Sequence, residues 1–338
     1  MNEQNSYQWK VCVRCMTYNQ SNYITAAMNG FTMQQTDFPY VCCILDDCST
    51  DGEQEVIKQY LQDNFDLKDK SVVRNEETDD YILTFAQHKV NKNCYFAVLY
   101  LKYNHYGKKS KLPYYEEWQN SAKYIAMCEG DDFWIANDKL QSQVDFLDSH
   151  PDYMMHFHNA LVRYQDSDKP DKIMSQFETG DINTTKLFKY WQLPLASVVF
   201  RTGIINSEEY KMLSKNVHGG FLLFLTSTKV GKVYGLAECL SVYRKNAGGV
   251  SNRMSPSLCL QIECNYALAS EDKGAIKIMR QKAVKRVASY IAKFFKDSEA
   301  KKMFKVAWNY HYSILPIAFI RFLLYILPIW IIKKIRKR

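Results

Sequence analysis

Three short apolar runs, each followed at once by polar residues, constrain the fold of this chain most. They cover residues 11–16, 41–45 and 124–128. Each run is long enough for one buried strand and too short for a helix. Strands that are apolar on both faces are typical of a parallel sheet with helices on both sides. A segment with apolar residues at helical spacing separates the first two runs. This strand–helix–strand order predicts a doubly wound α/β sheet.

The acidic residues after the third run, Glu129, Asp131 and Asp132, predict where a ligand binds, because ligands of open α/β sheets bind at the carboxyl ends of the strands. The first run likewise ends in Thr17, Tyr18 and Asn19, and the second in Asp46 and Asp47. Carboxylate oxygens suit Mg²⁺ or Mn²⁺, which usually share their coordination with substrate phosphates. Asp131 and Asp132 therefore predict a metal–diphosphate site. The alternative is an ordinary polar turn, in which Asp and Gly are common.

Composition narrows the class of protein. The chain has 338 residues, 47% of them hydrophobic, which allows one large domain with an appendage or two modest domains. Several of the ten cysteines lie in the apolar runs, where a free cysteine behaves as a small hydrophobic residue. The first ten residues lack the apolar stretch of a secretory signal. We therefore expect a reduced, cytoplasmic protein.

The C-terminal third predicts a membrane-associating helical extension. The net charge is +8, and residues 331–338 place five cations directly after apolar sequence, which favours an anionic membrane over nucleic acid as the partner. Residues 313–332 are mostly apolar but contain Arg321, and a charge in the middle of a spanning helix costs at least ~2.5 kcal/mol. The pattern favours a helix in the plane of the membrane. The alternative is a helix that packs on the catalytic domain or on a dimer partner.

Four segments in this order resemble the family 2 glycosyltransferases of the bacterial, GT-A type: residues 16–19, 46–52, 129–134 and 240–244. The resemblance covers roughly residues 10–251. It implies a GT-A fold, a Rossmann-like mixed sheet flanked by helices. Residues 1–255 would form the catalytic domain, with a donor half at about 10–135 and an acceptor half at about 136–255. Residues 256–338 would form the basic, amphipathic, helical extension.

The resemblance also implies residue roles and a reaction. The residues that would bind a nucleotide-sugar donor are Thr17, Tyr18, Asn19, Asp46, Asp47, Asp131 and Arg244, with the Tyr18 ring stacked on the base. Asp132, together with Asp131, would hold Mn²⁺ or Mg²⁺. The implied reaction is hexosyl transfer, inverting at the anomeric carbon, to a lipid-linked or cell-surface glycan during polysaccharide biosynthesis. Glu129 replaces the first Asp of the usual Asp-x-Asp motif.

The catalytic base is the main departure from the family pattern. Many relatives carry an Asp at the position that Gly220 occupies. His218 is the candidate substitute, because neutral imidazole is a competent base near pH 7. Asn246 stands where relatives often have His. The alternative is a catalytically degenerate module that binds a nucleotide sugar or a glycan. A dehydrogenase and a nucleotidyltransferase are disfavoured, because no Gly-rich loop follows the first strand.

Overall fold

The computed structural model describes residues 7–165, 167–190, 193–246, 254–293 and 297–328. The chain divides into two compact units that alternate along the sequence. The first unit consists of Met1–Asp181, Gln192–Ser207 and Val230–Asn246. The second consists of Ile182–Trp191, Glu208–Lys229 and Ala247–Arg338. The domain boundary expected near residue 255 stays a prediction.

A mixed 13-stranded sheet forms the first unit, as far as the structure describes it. Its strands are β1 (Trp9–Thr17), β2 (Tyr40–Asp46), β3 (Phe65–Asp66), β4 (Arg74–Glu77), β5 (Tyr81–His88), β6 (Cys94–Leu101), β7 (Ala122–Met127), β8 (Phe133–Trp134), β9 (Tyr153–Tyr164), β10 (Lys172–Ile173), β11 (Gly180–Asp181), β12 (Val199–Arg201) and β13 (Lys232–Lys245). The spatial order is β11-β13-β9-β12-β7-β1-β2-β6-β5-β3, with β4, β8 and β10 attached to β5, β13 and β9.

The centre of the sheet is parallel, as the three apolar runs predict. β7, β1, β2 and β6 lie side by side and run in the same direction. All seven residues of β2 are buried, because helices cover the sheet on both faces. The helices of the first unit are α1 (Ile24–Thr32), α2 (Glu53–Asn64), α3 (Glu116–Asn120), α4 (Lys139–Ser149) and α6 (Gly203–Asn206). The strands β5 and β12 pair antiparallel with this centre, which makes the sheet mixed.

The second unit is helical. Its helices are α5 (Thr184–Tyr190), α7 (Glu208–Leu213), α8 (Gly219–Val230), α9 (Pro256–Ala269), α10 (Lys273–Tyr290), α11 (Ser298–Tyr310) and α12 (Ile314–Arg321), which continues as a π-helix over Phe322–Ile326. Ile314, Ala318 and Phe322 pack into a core shared with α9, α10 and α11. The other face of α12 and of the π-helix exposes apolar side chains: Ile317, Phe319, Ile320, Leu323 and Leu324.

Two further structural observations concern membrane-spanning helices and the cysteines. Among the described helices, none combines the length and the apolar character that crossing a bilayer requires. All ten cysteines lie within the described residues, and each is a free thiol. Burial raises the pKa of Cys12 to about 12, so this thiol stays protonated and packs as an apolar side chain.

Candidate functional site

The loops that follow β1, β2 and β7 meet at one edge of the sheet. Thr17 and Asp46 are paired in register at the ends of β1 and β2. Beyond β7, the N–H of Gly130 donates to the carbonyl of Met16 at 3.1 Å. A Cβ at residue 130 would overlap the Thr17 hydroxyl and lie 2.5 Å from Gln20 Oε1. Only glycine therefore allows the acidic loop after β7 to pack this closely against the loop after β1.

The acidic loop is anchored by the end of β13. The N–H of Arg244 donates to Asp132 Oδ1 at 2.9 Å, and its guanidinium donates to the carbonyl of Asp131 at 2.9 Å. The side-chain amide of Asn246 donates to Asp131 Oδ2 at 3.2 Å. β13 reaches this position because it pairs antiparallel with β8, which directly follows the acidic loop. The structure thus brings Arg244 next to Asp131 and Asp132, which precede it in the sequence by 113 and 112 residues.

Burial makes the negative charge of this loop costly. It raises the pKa of Glu129 to about 7, with a further contribution from the Asp131 carboxylate. It also raises the pKa of Asp131, and it holds the pKa of Asp132 well above its usual range, again with repulsion from Asp131. Within the described residues, the Glu129 carboxylate has no hydrogen-bond partner. A cation placed here would relieve the repulsion among these carboxylates.

Arg244 brings a side-chain cation to the acidic loop. Its guanidinium lies 4.4 Å from the Phe133 ring centroid and 5.2 Å from that of Tyr23. Its Nε is buried, and it has no hydrogen-bond acceptor in the part of the chain that the structure describes. This buried donor is therefore unpaired among the described residues.

The loop after β1 carries three of the predicted donor residues. Tyr18 is 44% exposed, so its side chain is accessible to a ligand. Asn19 has a left-handed backbone conformation, with φ +54°. Its side-chain oxygen accepts from the N–H of Thr50 at 2.8 Å, which ties this loop to the loop after β2. Thr17 is buried, and its hydroxyl contacts the Glu53 carboxylate.

The two carboxylates at the end of β2 have different surroundings. Asp46 is buried, and its Oδ2 has no hydrogen-bond partner among the described residues. Asp47 accepts from the N–H of His105 at 2.8 Å and forms an ion pair with Lys111 at 2.9 Å. The Asp47 side chain is only 3% exposed, so the segment that carries His105 and Lys111 covers it.

Three residues of this site were not predicted from the sequence: Glu53, His105 and Lys111. Lys111 belongs to a basic stretch with Lys108 and Lys109, and no pattern distinguishes it from them. In the structure, Lys108 is exposed, whereas the side chain of Lys111 is 15% exposed and meets Asp47. Glu53 carries no motif of its own. An acidic residue in the first turn of a helix is common, because it interacts favourably with the helix dipole.

His218, the predicted base, lies in the second unit together with Gly220. Its side chain is exposed. Its N–H donates to the Tyr266 hydroxyl at 3.0 Å, and that hydroxyl lies 3.2 Å from its carbonyl. Gly219, with φ +65°, starts α8 directly after it. These contacts lie within the second unit, and the role of His218 stays a prediction.

The described residues contain no group of three or more His, Cys, Asp and Glu side chains that could hold a metal ion by themselves. Mg²⁺ and Mn²⁺ are usually held by one or two carboxylates, with substrate phosphates and waters as the other ligands. The adjacent carboxylates of Asp131 and Asp132 match this donor set. Their raised pKa values show that their charge is poorly compensated by the protein alone. The residues present fit such an ion.

Comparison with known proteins finds a family-level similarity over part of the chain. Residues 12–82 match the model of glycosyl transferase family 2. The resemblance predicted from the four segments is therefore confirmed. This family match covers the loops after β1 and β2 and ends before the acidic loop.

The chain is also similar to three particular proteins. It is 28% identical over 236 residues to the uncharacterized protein Rv1520 of Mycobacterium tuberculosis, which covers 70% of this chain and 58% of the relative. It is 24% identical over 250 residues to the putative teichuronic acid biosynthesis glycosyltransferase TuaG of Bacillus subtilis, covering 72% of this chain and 83% of that protein. The solved structure of S. aureus TarS 1-349 superposes with a TM-score of 0.53 at 16% identity, covering 91% and 81% of the two chains.

These similarities confirm the predicted fold class, a GT-A mixed α/β sheet flanked by helices. The chain spans only 58% of the length of the mycobacterial relative. Activity, substrates and partners are therefore matters of proposal.

Proposed function

We propose that this protein is a glycosyltransferase that uses a nucleoside-diphosphate sugar as its donor. The observation that carries the proposal is the pairing of Asp131 and Asp132 with Arg244 beside the loop that exposes Tyr18. Carboxylates and a guanidinium suit a diphosphate with its counter-ion, and an open aromatic ring suits a planar base. The match to glycosyl transferase family 2 and the name of the Bacillus subtilis relative support the same reaction class.

Each donor-site residue has a role that its surroundings allow. The exposed Tyr18 ring would stack on the base, beside the backbone of Thr17 and the Asn19 turn. Asp46 and Asp47 would accept hydrogen bonds from the base or the ribose, because each ionised carboxylate can accept about four. Asp47 already accepts from His105 and Lys111, so a ligand would share this carboxylate with them.

Asp131 and Asp132 would hold a divalent ion, Mn²⁺ or Mg²⁺. Such an ion, when bound, neutralises charge on the departing diphosphate. Arg244 would contact the same diphosphate through its unpartnered Nε. Because burial raises the pKa values of both carboxylates, protons compete with a metal ion for them, and we expect the apparent metal affinity to fall as the pH is lowered.

The acceptor and the stereochemistry follow from the family resemblance. We propose transfer of a hexose, with inversion, to a hydroxyl of a lipid-linked or cell-surface glycan, as part of polysaccharide biosynthesis. The name of the TuaG relative, which refers to teichuronic acid biosynthesis, supports this acceptor class. His218 is the proposed base that accepts the proton of the attacking hydroxyl.

The decisive experiment measures thermal unfolding with a panel of nucleoside diphosphates and nucleotide sugars, with and without Mn²⁺. A ligand at ~100 times its Kd adds ~2.7 kcal/mol to the stability of the native state. We expect one nucleotide class to stabilise the protein only when Mn²⁺ is present. The Asp132→Asn variant should lose this effect. Asp138→Asn is the matched control. Asp138 lies six residues after Asp132, and it is an exposed carboxylate that forms no side-chain cap bond.

Two results would contradict the proposal. If Asp132→Asn and wild type respond equally to nucleotide and metal, the metal-holding role of Asp132 is wrong. If no nucleotide stabilises the folded wild-type protein, with or without Mn²⁺, the glycosyltransferase proposal itself fails.

A second candidate function is supported by Gly220. The usual carboxylate base is replaced here, as expected of a degenerate module that binds a nucleotide sugar or a glycan without turnover. Measured donor hydrolysis or transfer separates the two candidates. We expect turnover that falls at least ~100-fold in His218→Ala, the usual size of a general-base contribution. Donor binding without turnover would favour the binding module.

We further propose that the protein is peripheral on the inner face of the cell membrane, held through the second unit. The exposed apolar face formed by α12 and the π-helix lies in the segment whose sequence predicts an in-plane helix. The opposite face packs on the other helices of the second unit. The alternative stays a helix that packs on the catalytic domain or on a dimer partner.

A further inference from the structure

We propose that Glu53 is a positioning residue that fixes two donor-site loops against each other. The first loop is residues 17–20, after β1, and the second is residues 47–52, after β2. The inference rests on the proposed function, since these loops carry Tyr18 and Asp47, which would contact the nucleoside. Nothing in the family pattern quoted above assigns a role to Glu53.

Both loops donate hydrogen bonds to this one carboxylate. Glu53 Oε2 accepts from the N–H of Gln20 at 2.9 Å and from the Ser49 hydroxyl at 2.8 Å. Its Oε1 accepts a hydrogen bond from the Thr17 hydroxyl. Glu53 is completely buried, although it opens a helix. Three donors that converge on a buried site suit an ionised carboxylate, because this group only accepts.

The loops need such a restraint because each contains a residue with unfavourable backbone geometry. Asn19 has φ +54° and Cys48 has φ +62°. The left-handed conformation costs a residue other than glycine about 1 kcal/mol, so surrounding contacts must hold it. The Ser49 hydroxyl links Asn19 to Glu53, because it accepts from the N–H of Asn19 at 2.9 Å and donates to Glu53. Cys48 directly precedes Ser49 in the chain.

The same carboxylate also sets the position of the acidic loop. Gly130 packs directly on Thr17 and Gln20, the two residues of the first loop that bond to Glu53. If the first loop moved, Asp131 and Asp132 would lose the surface on which their loop rests. Glu53 therefore lies at the junction of the nucleoside-binding and metal-holding parts of the site.

The alternative is that Glu53 only stabilises the start of α2 through the helix dipole. Glu55 provides the matched control, since it is a second carboxylate in the same first turn but is exposed. A dipole effect would be shared by both residues. Loop positioning belongs to Glu53 alone.

The test uses the full chain as wild type, Glu53→Ala, Glu53→Gln and Glu55→Ala. Hydrogen exchange is first measured without ligand. We expect Glu53→Ala to accelerate exchange at least ~10-fold in residues 17–21 and 47–52, with the strands β2 and β6 unchanged, because loss of these bonds opens the loops locally. Glu53→Gln should restore much of the protection, since its amide oxygen can still accept from Gln20. Glu55→Ala should resemble wild type.

Binding is then measured with Mn²⁺ and two kinds of probe, nucleoside diphosphates and inorganic pyrophosphate. We expect Glu53→Ala to raise the Kd of the nucleoside diphosphate at least ~10-fold, equivalent to about 1.4 kcal/mol. The Kd of pyrophosphate should change less, because pyrophosphate has no base or ribose for the two loops to hold. A transition-state role would instead lower kcat with the donor KM unchanged.

The outcomes separate this inference from the proposed function. Equal exchange in Glu53→Ala and Glu55→Ala would overturn the positioning role, whatever the protein binds. Looser loops with unchanged nucleotide affinity would overturn its link to the donor. If wild type binds no nucleoside diphosphate, the proposed function fails and the donor link with it, while the exchange data still decide whether Glu53 fixes the loops.

Discussion

At the scale of single residues, the acidic loop carries its negative charge at a cost in stability. Glu129 and Asp132 are held where their charged forms are disfavoured by burial and by Asp131. Such raised pKa values are common at functional sites. They also mean that the ligand-free protein is less stable with these carboxylates ionised than it would be with neutral side chains in their place.

Glu129→Gln should therefore stabilise the metal-free protein at alkaline pH. The pKa of Glu129 is about 7 in the folded state against an ordinary value of 4.5. At pH values between 4.5 and about 7, the folded state binds more protons than the unfolded state. The free energy of unfolding therefore falls as the pH rises through this range. We expect the variant to gain about 1–3 kcal/mol at pH ~8. The gain should largely vanish near pH ~4.5, where Glu129 is protonated in the folded state.

Chemical denaturation in the presence of a chelator, at both pH values, measures this difference. Glu116→Gln is the control, because Glu116 is an exposed carboxylate on α3. A gain of equal size at both pH values would show that packing, and not the charge of Glu129, sets the effect.

At the scale of elements, two helices that follow an aspartate begin differently. Asp272 caps α10: its side chain accepts from the N–H of Ala275 at 2.6 Å and from the Thr185 hydroxyl at 2.8 Å. Asp138 precedes α4 without a side-chain cap bond. Aspartate is a preferred N-cap residue, but Asp138 has φ −104° and ψ 6°, whereas Asp272 has the extended backbone that capping requires, with φ −85° and ψ 119°. A cap depends on the dihedral angles of the residue as well as on its identity.

Asp272→Ala should cost about 1–2 kcal/mol of stability in the second unit, because it removes a cap bond and a link to α5. Asp138→Ala should change stability by less than ~0.5 kcal/mol. Hydrogen exchange in the first turn of each helix locates the effect. Equal losses in the two variants would contradict the capping assignment.

At the scale of the whole molecule, charge is divided between the two units. The second unit contains 23 Lys and Arg against 7 Asp and Glu, whereas the first contains 21 against 29. The overall charge of +8 conceals this separation. A basic unit with an exposed apolar helix face suits an anionic lipid surface, because lipid headgroups attract the cations and the apolar side chains enter the interface.

The protein should therefore bind vesicles that contain anionic lipid. Binding should weaken as the salt concentration rises from ~0.1 M to ~1 M, because the Debye length falls from about 10 Å to about 3 Å. Replacing Phe319 and Leu324 together by Ser should weaken binding at least ~10-fold, because burying each side chain contributes about 1.5–3 kcal/mol. Val90→Ser is the control, since Val90 is an apolar side chain of the first unit that is 84% exposed. Co-sedimentation measures all variants. Unchanged binding by the double variant would show that this face does not contact lipid.

The sequence by itself determined the central strands, their parallel direction and the residues at their carboxyl ends. These features depend on short-range patterns: runs of apolar residues that must be buried on both faces, followed by polar residues that cannot be. Residues 41–45 and 124–128 were predicted as strands for this reason, and β2 and β7 confirm them within two residues at each end. Because parallel strands end at the same edge, the grouping of Thr17 with Asp46 also followed from the sequence.

Only the tertiary structure decided which side chains complete the site. β5 has a partly exposed pattern that no periodicity marks as a strand, and its pairing with β6 fixes it. In the sequence, nothing distinguishes Lys111 from the neighbouring lysines, whereas in the fold it forms an ion pair with Asp47. Glu53 has no local pattern at all, and its partners come from two loops that a parallel crossover brings together. Sequence patterns encode burial, which is local, whereas these contacts depend on strand order and register, which the whole fold sets.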